Sequence, residues 1–485
     1  MSLHIGIDIG TSGVKAVLMA GVAKVLAEAA RPIPVSIPQV GWSEQSADLW
    51  VEATFQCLDQ LAATAPALMA AVVGIGLSGQ MLAALLLDGA QKPLRPAMLW
   101  NDQRALAECA ELRALCPDIG LRTNGAPDPG ITLPKMMWLA KHEPRVMDAA
   151  RMLLLPKDYV RLALTGEVAS DPTDAGGTQL LDCASGKWDA GFCALVGWNP
   201  DHLPRLLASW DPAGQLRPAL AARWGMKPGV IVAAGAGDNM ASTLGVGGAK
   251  PGDAVLTVGT SGVACIVDAA FHPGPSRAIL TSAHAAPDTY LSMGVVMSAT
   301  ATLDWVIRLT GTDTATLVAE AEAFAATGKL ADAPIMLPCL TGIRTPLNRP
   351  DAIGRIDGLH PGTTRGMLGY AVMEGVAFQF ATCVAAQKSV GVMPARFAMV
   401  GGGSRSPVWA RLLATALNEP LNLPPGAHIS GPAGAARLAA VAAGGSFDIL
   451  SEPTGEARIV GPDLAISGVL AERFARFEAL LPAQG

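Results

Sequence analysis

Alternating apolar and polar positions open the chain. Residues 4–20, HIGIDIGTSGVKAVLMA, read as two strands joined by a tight turn at Gly10–Gly13. Residues 24–40 add a third strand that ends at Pro38. A helical period follows in Leu49, Trp50, Phe55, Leu58 and Leu61, with Ser46 placed as N-cap and Asp48 in the first turn. AAVVGIGLSGQMLAALLLD reads as two strands around a glycine-rich bend. LRPAMLWNDQRA reads as a strand running into a helix that begins near Asp102. The stretch 101–230 reads as mostly helical, with KMMWLAKHEP and LLLPKDYVRLALTG as amphipathic pieces stopped by Pro144 and Gly166. DPTDAGGTQLLDCASGKWD is rich in turn formers and is expected at the surface of a cleft. GVIVAAGAGDNMASTLGVG gives a buried strand, a turn bearing Asp238, and a helix.

A second unit then repeats the opening. Gly10-Thr11-Ser12-Gly13-Val14 recurs as Gly259-Thr260-Ser261-Gly262-Val263, again after a short apolar run. TYLSMGVVMSATATLDWVIRL supplies a strand and a helix, and GMLGYAVMEGVAFQFATCVAAQKSVG a strongly apolar helix. RFAMVGGGSRSPVWARLLATALN supplies a strand, a triple-glycine turn and a helix, and HISGPAGAARLAAVAAG a turn into an Ala-rich helix. Strands alternating with helices predict an α/β layer fold. The turn formers of GVGGAKPG put a boundary near 245–252, dividing the chain into 1–247 and 248–485.

A length of 485 residues suits two large domains, and an apolar content of 51% allows sizeable cores. The net charge of −6 argues against a nucleic-acid partner bound by phosphate neutralisation. The eight cysteines form no CxxC pair, as expected of reduced thiols in a cytoplasmic protein. Neither a signal peptide nor an uninterrupted apolar run of the ~18–20 residues that span a bilayer is read, so no membrane partner is expected.

Several spacings are decoys. Gly74-Ile-Gly76-Leu-Ser-Gly79 fits the dinucleotide pattern, but a strand, not a helix, is expected after it. There is no GxxxxGK[ST] loop, no convincing nucleophile elbow, and no metal spacing among the seven histidines. Three features carry more. Backbone N–H groups and hydroxyls of the two GTSGV loops suit phosphate. Asp8 sits in an apolar strand before the first loop, where an uncompensated carboxylate is costly to bury and a magnesium–phosphate partner would relieve the cost. Asp238 ends another apolar strand, and the glycines around it let another molecule approach its carboxylate. The competing readings are turn chemistry for Asp8 and helix capping by Asp238 or Asn239. Gly401-Gly402-Gly403, at a strand–helix junction, leaves room for a flat ligand.

The motifs GIDIGTSGVK, GWSEQ, GLSGQM, LRPAMLWNDQR, SDPTDAGGT, GAGDN, TVGTSGV, EGVAF, VGGGSRSPVWARLLA and GPAGAARLAA occur in the order expected of the FGGY carbohydrate kinases. The resemblance covers residues 4 to about 445, and its wording is most similar to the bacterial xylulokinase branch. It implies two actin-like (ribonuclease H-like) ATPase domains around a central cleft, in which ATP and Mg²⁺ phosphorylate a small sugar, D-xylulose first among the pentuloses. By motif position it implies Asp238 as the base toward the sugar hydroxyl. Asp8, with Asp238, would hold Mg²⁺ through water. Thr11, Ser12, Gly259, Thr260 and Ser261 would hold phosphates, and Gly401, Gly402, Gly403 and Ser406 the nucleotide. Gln80, Met81, Leu82, Trp100, Asn101, Asp102 and Asn239 would line the sugar pocket. Dimers occur in that family. GQMLA departs from the GQMHG usual there: Leu82 replaces a histidine, which puts the identity of the sugar in question and keeps another ketose or polyol in play. An actin-like ATP-binding protein without sugar chemistry is the competing class.

Overall fold

The computed structural model describes residues 2–483; residues 1, 484 and 485, which the division into 1–247 and 248–485 includes, lie outside the described residues. Two seven-stranded sheets share one plan. In the first, the hairpin Leu3–Ile9 and Gly13–Ala20 is extended on one side by antiparallel Lys24–Pro32. On the other side lie parallel Val72–Gly79 and Ile231–Ala233, then antiparallel Pro212–Gln215. In the second, the hairpin Asp253–Val258 and Gly262–Asp268 is flanked by antiparallel Tyr290–Val296. Parallel Arg396–Val400 and Leu421–Leu423, then antiparallel Arg458–Val460, complete the same order, and Leu280–Ala283 is added at the far edge. The repeated GTSGV loops therefore sit at equivalent corners of duplicated sheets.

Each sheet has its own core, one around Ile5, Ile7, Trp50 and Leu77, the other around Leu256, Ile266, Tyr370 and Phe378. A third cluster joins the halves through Met240, Leu244, Val255 and Leu438. The Ser430–Ala442 helix, late in the chain, packs on the first sheet, and glycine makes that approach feasible. A Cβ on Gly6 would lie 1.7 Å from the Pro432 carbonyl oxygen, and one on Gly76 1.8 Å from that of Ala435. Gly74 and Gly76 of the GxGxxG spacing thus form a groove in a strand that receives a helix backbone. Gly76→Ala forces that helix off the sheet and is expected to cost about 1–3 kcal/mol or more, read as a lowered urea midpoint.

Several expected elements are corrected. The third strand ends at Pro32, because its pairing partner begins only at Gly13, opposite Pro32, and beyond it Ile33 reaches just the turn residue Ser12. Ser46 occupies the N-cap of Ala47–Thr64 but makes no capping hydrogen bond. The helix expected near Asp102 begins at Leu106. LLLPKDYVRLALTG splits into a strand, Met152–Leu154, and a helix, Pro156–Thr165, with proline at the helix start. The DPTDAGG turn is buried, with Asp171 and Asp174 fully inside. Arg365–Ser389 is long and apolar enough to cross a membrane by length and composition, yet it is the central helix of the second core.

Candidate active site

The turn after Leu3–Ile9, the start of the Asp238–Gly245 helix and the second GTSGV loop meet around a cavity of about 410 Å³. Its lining includes Asp8, Thr11, Met81, Leu82, Trp100, Asp238, Asn239, Gly259, Thr260 and Ser261 from the expected set. The first half brings the acids, and the second half brings the loop of amides and hydroxyls opposite them.

Strand register explains Asp8. It pairs with Lys15 across the hairpin and lies beside Ser78 on the parallel neighbour, whose hydroxyl donates to it at 2.6 Å. Thr257 takes the equivalent place in the second hairpin and also lines the cavity. Burial raises the Asp8 carboxyl above its ordinary value, and Ser78 and Lys15 partly oppose that. Asp238 accepts from the backbone N–H of Asn239 at 2.7 Å and from its side-chain amide at 2.9 Å. Burial and the nearby Asp8 charge push Asp238 up to about 7 against those two hydrogen bonds. Two buried carboxyl groups facing one cavity, the Asp8 charge raising Asp238, suit a hard divalent cation completed by phosphate and water. Among the described residues no group of three His, Cys, Asp or Glu is arranged to hold a metal, so the protein would supply only part of the coordination.

The other expected residues divide. The Thr11 hydroxyl donates to Gln80 Oε1 and accepts from the Trp100 indole N–H, both at 3.0 Å. Gln80 in turn donates to Gln45, whose amide donates to the Thr11 carbonyl at 2.7 Å. Gln80 is therefore engaged in bracing the first loop rather than in lining the sugar pocket. Asp102 is also outside the pocket: it is fully buried, accepts from Ser43 N at 2.8 Å and pairs with Arg104 at 2.6 Å. Asn101 and Ser12 are exposed and do not line the cavity. Cβ atoms on Gly401 and Gly403 would lie 2.6 and 2.4 Å from Val258, the residue before the second loop, whereas Gly402 faces open space. Ser406 caps the Pro407–Leu417 helix by accepting from Trp409 N, and it does not line the cavity.

Leu82 adopts φ +70°, an unusual region for a branched side chain. Two donors hold its carbonyl there: Thr132 Oγ1 at 2.9 Å and Lys135 Nζ at 3.0 Å. Lys135 is fully buried and also donates to the Met98 carbonyl at 3.2 Å. Burial lowers its pKa to about 7, and a neutral amine has two N–H groups for these two carbonyls. The unfolded lysine titrates near 10.4, so the cost of burying its charge is full below about 7 and is relieved as pH rises from there. Stability of the wild type minus that of Lys135→Met is expected to increase with pH between the two pKa values, by at most about 1.4 kcal/mol per unit. Urea titrations of both proteins across that window check it.

Sequence reasoning missed Asn124, Ser242, Leu280, Met293, Val295 and Arg344, all in the lining. Asn124 and Arg344 sit in irregular loops, where no periodicity marks an inward position. Arg344 pairs with Asp128 at 2.8 Å, a bond between residues 216 apart that ties the two halves at the cavity.

Comparison with known proteins places both halves of the chain in one family. Residues 3–245 match the N-terminal domain of the FGGY family of carbohydrate kinases, and residues 254–443 match its C-terminal domain. The xylulose kinase of Escherichia coli (strain K12) is 38% identical over 442 residues, covering 91% of this chain and 90% of that protein. A crystal structure of a xyloylose kinase from Brucella ovis superposes with a TM-score of 0.93 at 39% identity, over 99% of both chains. The xylulose kinase of Rhodospirillum rubrum gives a TM-score of 0.88 at 32% identity, over 98% of this chain and 97% of that one. The actin-like, two-domain architecture expected from the motifs is therefore the fold adopted, and the chain is a member of the FGGY family of carbohydrate kinases.

Proposed function

We propose that this chain transfers the γ-phosphoryl group of ATP to the primary C5 hydroxyl of a pentulose, D-xylulose foremost, between units 1–247 and 248–485. The observation that carries the reading is the facing of Asp8 and Asp238 from one half with Gly259, Thr260 and Ser261 from the other in one cavity. Phosphoryl transfer needs a positioned hydroxyl, a group that accepts its proton, and donors for phosphate charge. Asp238 orients the sugar hydroxyl and takes its proton. Asp8, through water, and Asp238 would hold Mg²⁺, which when bound neutralises phosphate charge. Backbone amides of Thr11, Thr260 and Ser261, residues that line the cavity, hold the phosphates, and the Gly401–Gly403 turn receives the nucleotide. Apposition of the two units excludes water from the transferring group. The names of the similar proteins from Escherichia coli and Rhodospirillum rubrum support xylulose.

The test is sugar-stimulated ADP release across ketoses and polyols. The largest stimulation is expected with D-xylulose, and no stimulation by any sugar overturns the reading. Leu82 favours a second reading, another ketose, because a leucine cannot hydrogen-bond a sugar hydroxyl. Leu82→His is expected to change the order of preference within that panel; an unchanged order removes position 82 from substrate selection.

A further inference from the structure

We propose that Asn124 is a specificity-determining residue, its carboxamide reading a hydroxyl on the neutral polyhydroxy chain of the substrate. The inference rests on the sugar-kinase reading above and adds to it a residue outside the recognised motifs. Asn124 lines the same cavity as Asp238 and Leu82 and is only 3% exposed, yet its Oδ1 accepts no hydrogen bond from the protein. A buried acceptor left bare is costly, so a polar group that remains bare in the ligand-free protein is suited to meet a ligand.

The mount is rigid while the tip is bare. The Asn124 carbonyl accepts from Thr281 N at 2.8 Å, across the cleft between the two halves. On one side, the Thr123 hydroxyl donates to the Ile119 carbonyl at 2.8 Å. On the other, the Gly125 carbonyl accepts from Gln179 at 2.8 Å, with Gly125 at φ +154°. The backbone bonds persist whatever the side chain does, so the carboxamide is held at a defined place without being consumed by structure. A carboxamide both donates and accepts, as a hydroxyl does, which matches an alcohol better than an anion. The cavity wall nearby is apolar at Leu82, Leu280 and Met293, which offer nothing to a hydroxyl. Asn124 thus supplies in this pocket the polar contact that leucine at position 82 withholds.

The experiment compares wild type, Asn124→Ala and the similarly sized Asn124→Leu on D-xylulose and on analogues that each lack one hydroxyl. Both variants are expected to raise KM for D-xylulose about ten-fold or more, with a much smaller change in kcat. For one analogue, the one lacking the hydroxyl read by Asn124, wild type and variants are expected to share one KM. The second variant carries the test if the first fails to fold. An equal loss on every analogue, or no loss on any, overturns the role of Asn124 while leaving the kinase reading in place. A wild type that phosphorylates no sugar in the series overturns both.

Discussion

Asp238→Ala is expected to lose sugar phosphorylation by about a thousand-fold in kcat, the middle of the range for removing a general base. Nucleotide binding should survive, because the GTSGV loops and the Gly401–Gly403 turn proposed to hold it lie on other segments. The arrangement explains the size of the effect. Asp238 stands at the first turn of its helix, lines the cavity, and is held by two hydrogen bonds from Asn239. Its elevated pKa, near 7, makes it an effective proton acceptor at neutral pH. Steady-state ADP release with D-xylulose, together with calorimetric titration of ADP, separates the two outcomes. Turnover within ten-fold of wild type removes Asp238 from the role of base.

The second large effect is on stability. Lys157→Met is expected to destabilise the protein by about 3–5 kcal/mol, the range for breaking a buried charge cluster by removing one partner. Lys157 Nζ lies 2.6 Å from Asp158, 2.8 Å from Asp171 and 3.3 Å from Asp174, all with fully buried side chains. Burial pulls the ammonium down, but the three carboxyl groups outweigh it and hold it above its ordinary value. Arg161, also buried, adds a second cation on Asp158 at 2.9 Å. Burial raises Asp174 well above the usual carboxylate range, and Lys157 opposes that rise. Removing Lys157 leaves this buried carboxyl cluster without the cation its three members share. The damage reaches the site. Asp171 accepts from Thr173, and the Thr173 hydroxyl accepts from Gly237 N at 3.0 Å, one residue before Asp238. Urea unfolding measures the loss, and an unchanged midpoint refutes the cluster's structural weight.

Much of the molecule was legible from residue order. Alternation in HIGIDIGTSGVKAVLMA specified a hairpin because the period of two is local. Its repeat at 253–268 specified a second one, and the duplicated sheets follow. Helices with long apolar periods, such as Arg365–Ser389, were visible for the same reason. Boundaries failed where the chain lacks a period: Lys24–Pro32 ends sooner than its composition suggests, and the buried DPTDAGG turn reads as surface because it is polar. Its polarity serves Lys157, a partner fifteen or so residues away that only the fold brings into contact.

The candidate site divides along the same line. Sequence alone singled out Asp8, Asp238 and the glycine loops, since each lies in a short contiguous motif, but the environment of the two carboxyls comes from distant neighbours, Ser78 for Asp8 and Asp8 for Asp238. Tertiary structure alone decided which polar side chains face the cavity. Gln80 and Asp102 sit in the right motifs, yet Gln80 braces Thr11 and Asp102 is occupied by Arg104. Asn124 and Arg344 sit in no motif and reach the cavity because two halves meet there. A side chain's availability to a substrate depends on whether another residue has already taken its hydrogen bonds, and for Gln80 that is settled by Gln45 and Thr11, 35 and 69 residues away in the chain.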